Sequence, residues 1–275
     1  MQFENLTENF TERDIPYDTL AGYGLSREMI DDLPENIMHR LLSGAFTPLL
    51  PLKVSGSDGE NTVFARIALK ADAFGNAKVF LRPEIQPSAL NGYSGGEQQA
   101  LGDGMVIITQ PPRQLQGSMP GTPCFAQYDG ETNQVLFTPA SLVLANLQAV
   151  TEYLGISGID GIDKELLEAG EPQTFQWQTP DGSEQSITFG VDLHDKCGVR
   201  FTQGGLGEWR AQGKDFWRQY NFGLYGAWVA DANGKTAQYI LEKDYTPEMR
   251  AMQLSGSAEK QEETEPQVID RGIRM

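Results

Sequence analysis

The chain has 275 residues, 39% hydrophobic and 9% aromatic, which is enough large apolar side chains for one sizeable core or two smaller ones and too many for a disordered polypeptide. Lys and Arg number 21 against 38 Asp and Glu, a formal charge of −17 that repels nucleic acid and anionic lipid. No basic run supplies the phosphate-neutralising footprint of a nucleic-acid binder.

Helical material opens the chain in DIPYDTLAGYGLSREMIDDLPENIMHRLLSG. Asp14 is placed to cap, Pro16 suits a first turn, and Gly24 closes a short helix in the left-handed conformation. Ser26 caps a second helix and Pro34 opens a third, in which Ile37, Met38, Leu41 and Leu42 share a face before Gly44 stops it. FTPLLPLKV is extended and apolar, but Pro48 and Pro51 cannot donate to a ladder, which makes it an edge strand or a bulged one. After the Asp58-Gly59 turn, TVFARIALK alternates Val63, Ala65, Ile67 and Leu69 on one face of a half-buried strand, and AFGNAKVFLRP supplies a turn and another strand.

The same grammar returns twice. GGEQQALGDG reads as a short helix and MVIITQ as a strand; a Pro/Gly loop, PPRQLQGSMPGTP, then leads to CFAQYDGETNQVLFTP, two strands about Asp129-Gly130. Val143, Leu147, Val150 and Leu154 fall at helical spacing in PASLVLANLQAVTEYLG, the clearest amphipathic helix. DKELLEAG, EPQTFQWQ, the Asp181-Gly182 turn, SITFGVDL and CGVRFT repeat helix, glycine and three strands. In the last segment Trp209, Phe216 and Trp217 read as helical, Phe222 to Val229 as one strand, and Asn233-Gly234 as a hairpin turn. The expected fold class is therefore α+β, with short helices packed on antiparallel strands in two or three diverged helix-plus-three-strand units. The boundaries are 1–90 (helices and first unit), 91–158 (middle unit with its amphipathic helix), 159–253 (aromatic-rich C-terminal units) and 254–275, a tail without a periodic apolar face that is expected to be flexible.

Motifs that would carry chemistry are incomplete. His194 and Cys197 in HDKC supply half of a four-ligand zinc site, while His39 and Cys124 belong to other segments, so the stretch reads as a turn. Cys124 opens a strand and reads as a small buried residue, without the histidine base a nucleophile needs. A nucleophilic serine is not favoured either, and VSGSDGEN reads as a hairpin turn. NGYSGGEQQALGDG lacks the Gly-Lys-Ser/Thr of a phosphate loop, and TQGGLGEW lacks the strand-helix setting of a dinucleotide fingerprint. Thr236 stands where a calcium loop from Asp231 to Glu242 needs glycine. No catalytic, cofactor-binding or metal-ligating residue is assigned, no cofactor is expected, and an enzyme is the less favoured reading.

What stands out is an aromatic block: Trp209, Trp217, Tyr220, Phe222, Tyr225 and Trp228. On one alternating strand Phe222, Leu224 and Gly226 face one way, and Gly223, Tyr225, Ala227 and Val229 the other. Two readings stay open: all these rings fill a core between helix and sheet, or one face meets a protein partner through aromatic anchors.

The two cysteines imply no disulfide framework. The acidic start MQFENLTENFTERD lacks the positive and apolar regions of a secretory leader, and no apolar run approaches the ~18 residues of a membrane span. A cytoplasmic location and no membrane contact are expected.

The stretches DIPYDTLAGYGLSREMIDDLPENIMHRLLSGAFTPLLPLKV and FWRQYNFGLYGAWVADANG, with CFAQYDGETNQVLFTPAS and FGVDLHDKCGVRF between them, resemble uncharacterised domain families. These are borne on conjugative transposons and plasmids of anaerobic gut bacteria. The resemblance spans roughly Asp14 to Tyr245 and implies a mobile-element accessory protein, in a setting that includes DNA-processing genes. It brings no catalytic residues. The expected function is thus a non-enzymatic accessory acting by protein-protein binding, its partner being DNA-processing or conjugation machinery, with no direct nucleic-acid contact. The alternative is an acidic DNA mimic or anti-defence decoy that occupies a DNA-binding enzyme.

Overall fold

Punctuation residues set the lengths of the first helices in the computed structural model, which describes residues 10–56, 59–111, 121–153, 163–178, 182–195, 197–211 and 217–264. These helices are α1 (Tyr17–Ala21), α2 (Arg27–Asp31) and α3 (Glu35–Ser43). Gly24 and Gly44 both take φ +78°, a left-handed conformation that ends a helix cheaply only at glycine. The Ser26 hydroxyl accepts the Met29 N–H and caps α2. Asp14 does not cap α1; its carboxylate accepts the Thr11 N–H in a capping box just before it.

Strands β1 (Leu50–Gly56), β2 (Gly59–Ala71) and β3 (Ala77–Pro83) form sheet 1 in that order, antiparallel. Pro51 is tolerated because β1 is an edge. Ala65, Ile67 and Leu69 turn inward and are buried with Leu20, Leu25, Ile30, Ile37 and Leu41 of the helical segment. Arg66 points the other way, yet it too is only 7% exposed.

The remaining sheets repeat the three-stranded meander. Helix α4 (Gly95–Gly102) precedes sheet 2, made of β4 (Ile107–Thr109), β5 (Cys124–Asp129) and β6 (Gln134–Pro139). Helix α5 (Ala140–Tyr153) follows directly and buries Val143, Leu147 and Val150; Leu154 lies outside the described residues. Helix α6 (Lys164–Glu168) leads to sheet 3: β7 (Gln173–Gln178), β8 (Glu184–Val191) and β9 (Val199–Gln203). Helix α7 (Leu206–Ala211) leads to sheet 4: β10 (Tyr220–Phe222), β11 (Gly226–Ala230) and β12 (Ala237–Leu241), followed by α8 (Pro247–Thr264). The α+β architecture of short helices and antiparallel strands is as expected, and among the described residues it comprises four such sheets.

The four sheets share two main cores. Sheets 2 and 3 close around α5, with Phe125, Leu136, Leu147, Phe175 and Phe189 in one cluster. Sheet 4 packs instead onto sheet 1, the far end of the sequence: Trp217, Trp228 and Ala237 join the α1–α3 cluster. A parallel bridge between Leu49 and Thr236 ties the two sheets edge to edge. The opposite face of sheet 4 (Tyr220, Phe222, Ala227, Val229 and Ile240) packs under Tyr245 and Met249, at and before the start of α8.

Three local expectations change. Trp217 lies outside α7, and Phe216 is outside the described residues. The run from Phe222 to Val229 is not one strand: β10 and β11 pair antiparallel, with Phe222 opposite Ala227, so those two share a face. Helix α8 continues past Leu254 to Thr264.

Candidate functional site

The polar side chains that the fold gathers lie in a seam between the two cores. The carboxylate of Asp129, at the end of β5, receives Arg66 from β2 in a bidentate pair: Nε donates at 2.8 Å and Nη2 at 3.2 Å. Nη2 also donates to Glu131 at 2.6 Å, and Nη1 to the Thr47 carbonyl at 3.0 Å. Burial alone would raise the Asp129 carboxyl, but His194 and the Arg66 guanidinium hold it well below the usual carboxylate range. On the turn after β8, Asp192 takes Arg200 Nε at 2.6 Å and His194 Nδ1 at 3.1 Å. His194 Nε2 stands 3.9 Å from Asp129 Oδ1, an ion-pair distance and not a hydrogen bond. From α3, Arg40 Nη2 donates to the His194 carbonyl at 3.4 Å. Arg82 of β3 lies 3.9 Å over the Phe46 ring, and burial lowers its pKa to about 10.

A second feature is a clamped turn. Asp32, 5% exposed at the end of α2, accepts the backbone N–H groups of Leu224 (2.6 Å), Tyr225 (2.9 Å) and Gly226 (2.7 Å), together with the Tyr239 hydroxyl. Burial and the Asp32 carboxylate raise the Tyr239 phenol, which therefore stays a donor. The clamp bends the chain between β10 and β11 and leaves Leu224 76% and Tyr225 45% exposed. Gly223 is required here, because a Cβ on it would run into the Asp32 carboxylate. Gly223→Ala is therefore expected to cost more than about 2 kcal/mol. Gly234→Ala, at φ +65° in open space, should cost only about 1 kcal/mol. Urea unfolding of the two variants side by side checks this ranking.

The aromatic block is divided by the fold. Trp228 is fully buried, donates from Nε1 to the Met29 carbonyl at 2.9 Å, and contacts Trp217 (5.6 Å between centroids) and Tyr239 (5.4 Å). Trp209 is buried beneath the Arg200 guanidinium at 3.8 Å. Tyr220 stacks on Phe222, whose edge meets Tyr245. Of the six residues only Tyr225 is exposed, with Leu224, outside the block, beside it.

His39 is exposed on α3, far in the sequence from the seam histidine. Cys124 is fully buried and its thiol is pushed up by burial, the opposite of activation. Among the described residues no group of three His, Cys, Asp or Glu side chains is arranged to hold a metal, and no helix is long and apolar enough to cross a membrane. A cleft of about 440 Å³ lies away from the seam, lined by Glu12, Arg13, Tyr17, Arg27, Asp31 and Met38. Its charges largely engage one another: Tyr17 donates to Asp31 at 2.7 Å, and Arg27 pairs with Asp31 at 3.4 Å while covering the Tyr17 ring. Sequence reasoning missed both the seam and the clamp. Arg66 sits on a strand that reads as ordinary, and Asp32 is one acid among many; only Gly223, a glycine inside an aromatic run, signals a break.

Residues 10–90 match a family model described as a protein of unknown function, DUF4099. The matched span covers α1–α3 and sheet 1, and contains Asp32, Arg40 and Arg66 but not the side chains or turn they hold. No curated protein and no solved structure matches the chain.

Proposed function

We propose that the chain is a cytoplasmic, non-enzymatic accessory of a conjugative element that binds a protein partner through the turn at Leu224 and Tyr225. The observation that carries this reading is the Asp32 clamp. Three backbone donors fixed on one buried carboxylate hold two large apolar side chains outward in a set conformation. A pre-ordered turn loses little conformational entropy on binding, and an exposed tyrosine is an anchor type that hot spots favour. The mobile-element setting rests on the resemblance of the long N-terminal and aromatic stretches alone; the family model that matches residues 10–90 has no function attached. The seam favours the same reading, because its imidazole is held between two carboxylates and its guanidiniums are committed to neighbours within the fold.

Tagged full-length chain, expressed in a host carrying a conjugative element, should recover a protein partner. Leu224→Asp combined with Tyr225→Ala should reduce that recovery at least tenfold without shifting the urea midpoint. Equal recovery from a folded double variant rejects the turn as the binding surface; recovery that ignores the variant but vanishes in high salt favours the acidic decoy.

A further inference from the structure

We propose that the free edge of sheet 1 is a docking site for an extended acidic segment of a protein partner, which adds to β3 as a further strand. This edge lies on the side of the sheet away from sheet 4, and its use is independent of the turn at Leu224. The Asp72 N–H donates to the Asn76 carbonyl and the Glu84 N–H to the Phe64 carbonyl, both at 2.9 Å. That phase makes the even-numbered residues of β3 exchange their bonds with β2. The N–H and carbonyl groups of Ala77, Val79 and Leu81 point the other way, and among the described residues nothing bonds them. An unpaired row of this kind is a template for a strand from another chain. Pro83, which has no N–H, ends the row, and its carbonyl already accepts Gln134 Nε2.

The side chains select the occupant. Ala77, Val79 and Leu81 turn onto the first core, so Lys78, Phe80 and Arg82 stand together on the opposite face. Phe80 is 52% exposed. The Lys78 side chain is 63% exposed and reaches only to 3.9 Å from Asp72, beyond hydrogen-bond range. Among the described residues Arg82 donates to no acceptor, and its buried Nη1 is left unsatisfied. In a chain with 38 acids against 21 bases, residues 73–83 contain no acid at all. A strand laid along β3 sets alternate side chains opposite Lys78, Phe80 and Arg82. The matching order is therefore an acid, any residue, an apolar residue, any residue and a second acid, and it reads the same in either chain direction. A second copy of β3 fits poorly, because antiparallel self-pairing about Phe80 sets Lys78 opposite Arg82, like charge on like.

A fluorescein-labelled peptide, Thr-Glu-Thr-Val-Thr-Glu-Thr, titrated into the full chain tests the edge by anisotropy and by hydrogen exchange. The peptide should bind and slow exchange at Ala77, Val79 and Leu81 at least tenfold, while the amides of Phe80 and Arg82, already paired with β2, change little. Lys78→Glu should weaken binding at least tenfold and should favour the peptide with lysine in place of both glutamates. Val79→Pro removes an N–H that bonds nothing in the fold and should abolish binding. Should Val79→Pro not fold, Lys78→Glu, on an exposed side chain, carries the test. Leu224→Asp combined with Tyr225→Ala should leave peptide binding unchanged, which separates this edge from the turn. No binding at millimolar peptide, equal binding of the two peptides by the parent chain, or unslowed exchange at the three amides overturns the proposal. Protection of those amides that grows with protein concentration without peptide shows self-pairing and overturns it as well.

Discussion

Arg66→Met is expected to destabilise the protein by about 3–5 kcal/mol, far more than loss of a surface ion pair. The reason is the carboxylate left behind. The Asp129 side chain is 2% exposed and that of Arg66 8%, so removing the guanidinium strands a buried charge that water reaches poorly. Arg66→Met combined with Asp129→Asn should recover part of the loss, because the amide keeps an acceptor for the Glu131 N–H, 3.2 Å away, without carrying charge. Urea unfolding of the two variants and the parent gives the comparison. A cost under about 1 kcal/mol for Arg66→Met would mean that the pair behaves as solvated. The pH dependence has a definite sign as well. Because the Asp129 carboxyl is held low in the fold, its contribution is present above the unfolded carboxylate pKa and is given up as acid titrates through the lowered one.

The second large effect falls on Asp32. Asp32→Ala leaves three backbone N–H groups and the Tyr239 hydroxyl without their acceptor, in a site where the carboxylate is 5% exposed. At about 1–3 kcal/mol for each unsatisfied buried donor, with relaxation of the turn recovering some of them, the expected loss is about 3–6 kcal/mol. Asp32→Asn retains one acceptor oxygen and should lose roughly half as much. The same substitutions should raise hydrogen exchange at residues 224–226 and weaken partner recovery even where the fold survives. An Asp32→Ala protein with unchanged exchange at the turn would show that β10 and β11 hold it unaided.

Local chemistry carried much of the fold in the sequence. Ser26, Gly24 and Gly44 bound the helices because capping and left-handed backbone are decided within a few residues. Ala65, Ile67 and Leu69 announce the inner face of β2 because strand period is local as well. The hairpin at Asn233-Gly234 is legible for the same reason: Gly234 takes φ +65°. What was not legible depends on pairs far apart along the chain. Arg66 meets a residue 63 positions away, and Leu224 is held by one 192 positions away. Neither distance leaves a periodic trace, and in a chain with 38 acids no single carboxylate stands out. The run from Phe222 to Val229 looked like one strand because its break is imposed by Asp32 from another unit. The aromatic block was legible as important; that Trp228 and Trp217 would pack on α1–α3 required the fold.

Sheet 4 closing onto sheet 1 makes the molecule's first hydrophobic cluster a joint product of its two sequence extremes. A fragment ending near residue 90 would carry the matched family segment with one wall absent, exposing the floor on which Trp217 and Trp228 rest. On the ribosome, α1–α3 and sheet 1 emerge long before that wall exists, so their final consolidation waits for residues 217–241 to be made. Truncation from either side should consequently unsettle the same cluster, and the first unit gains its full rigidity only when the chain has come back to where it started.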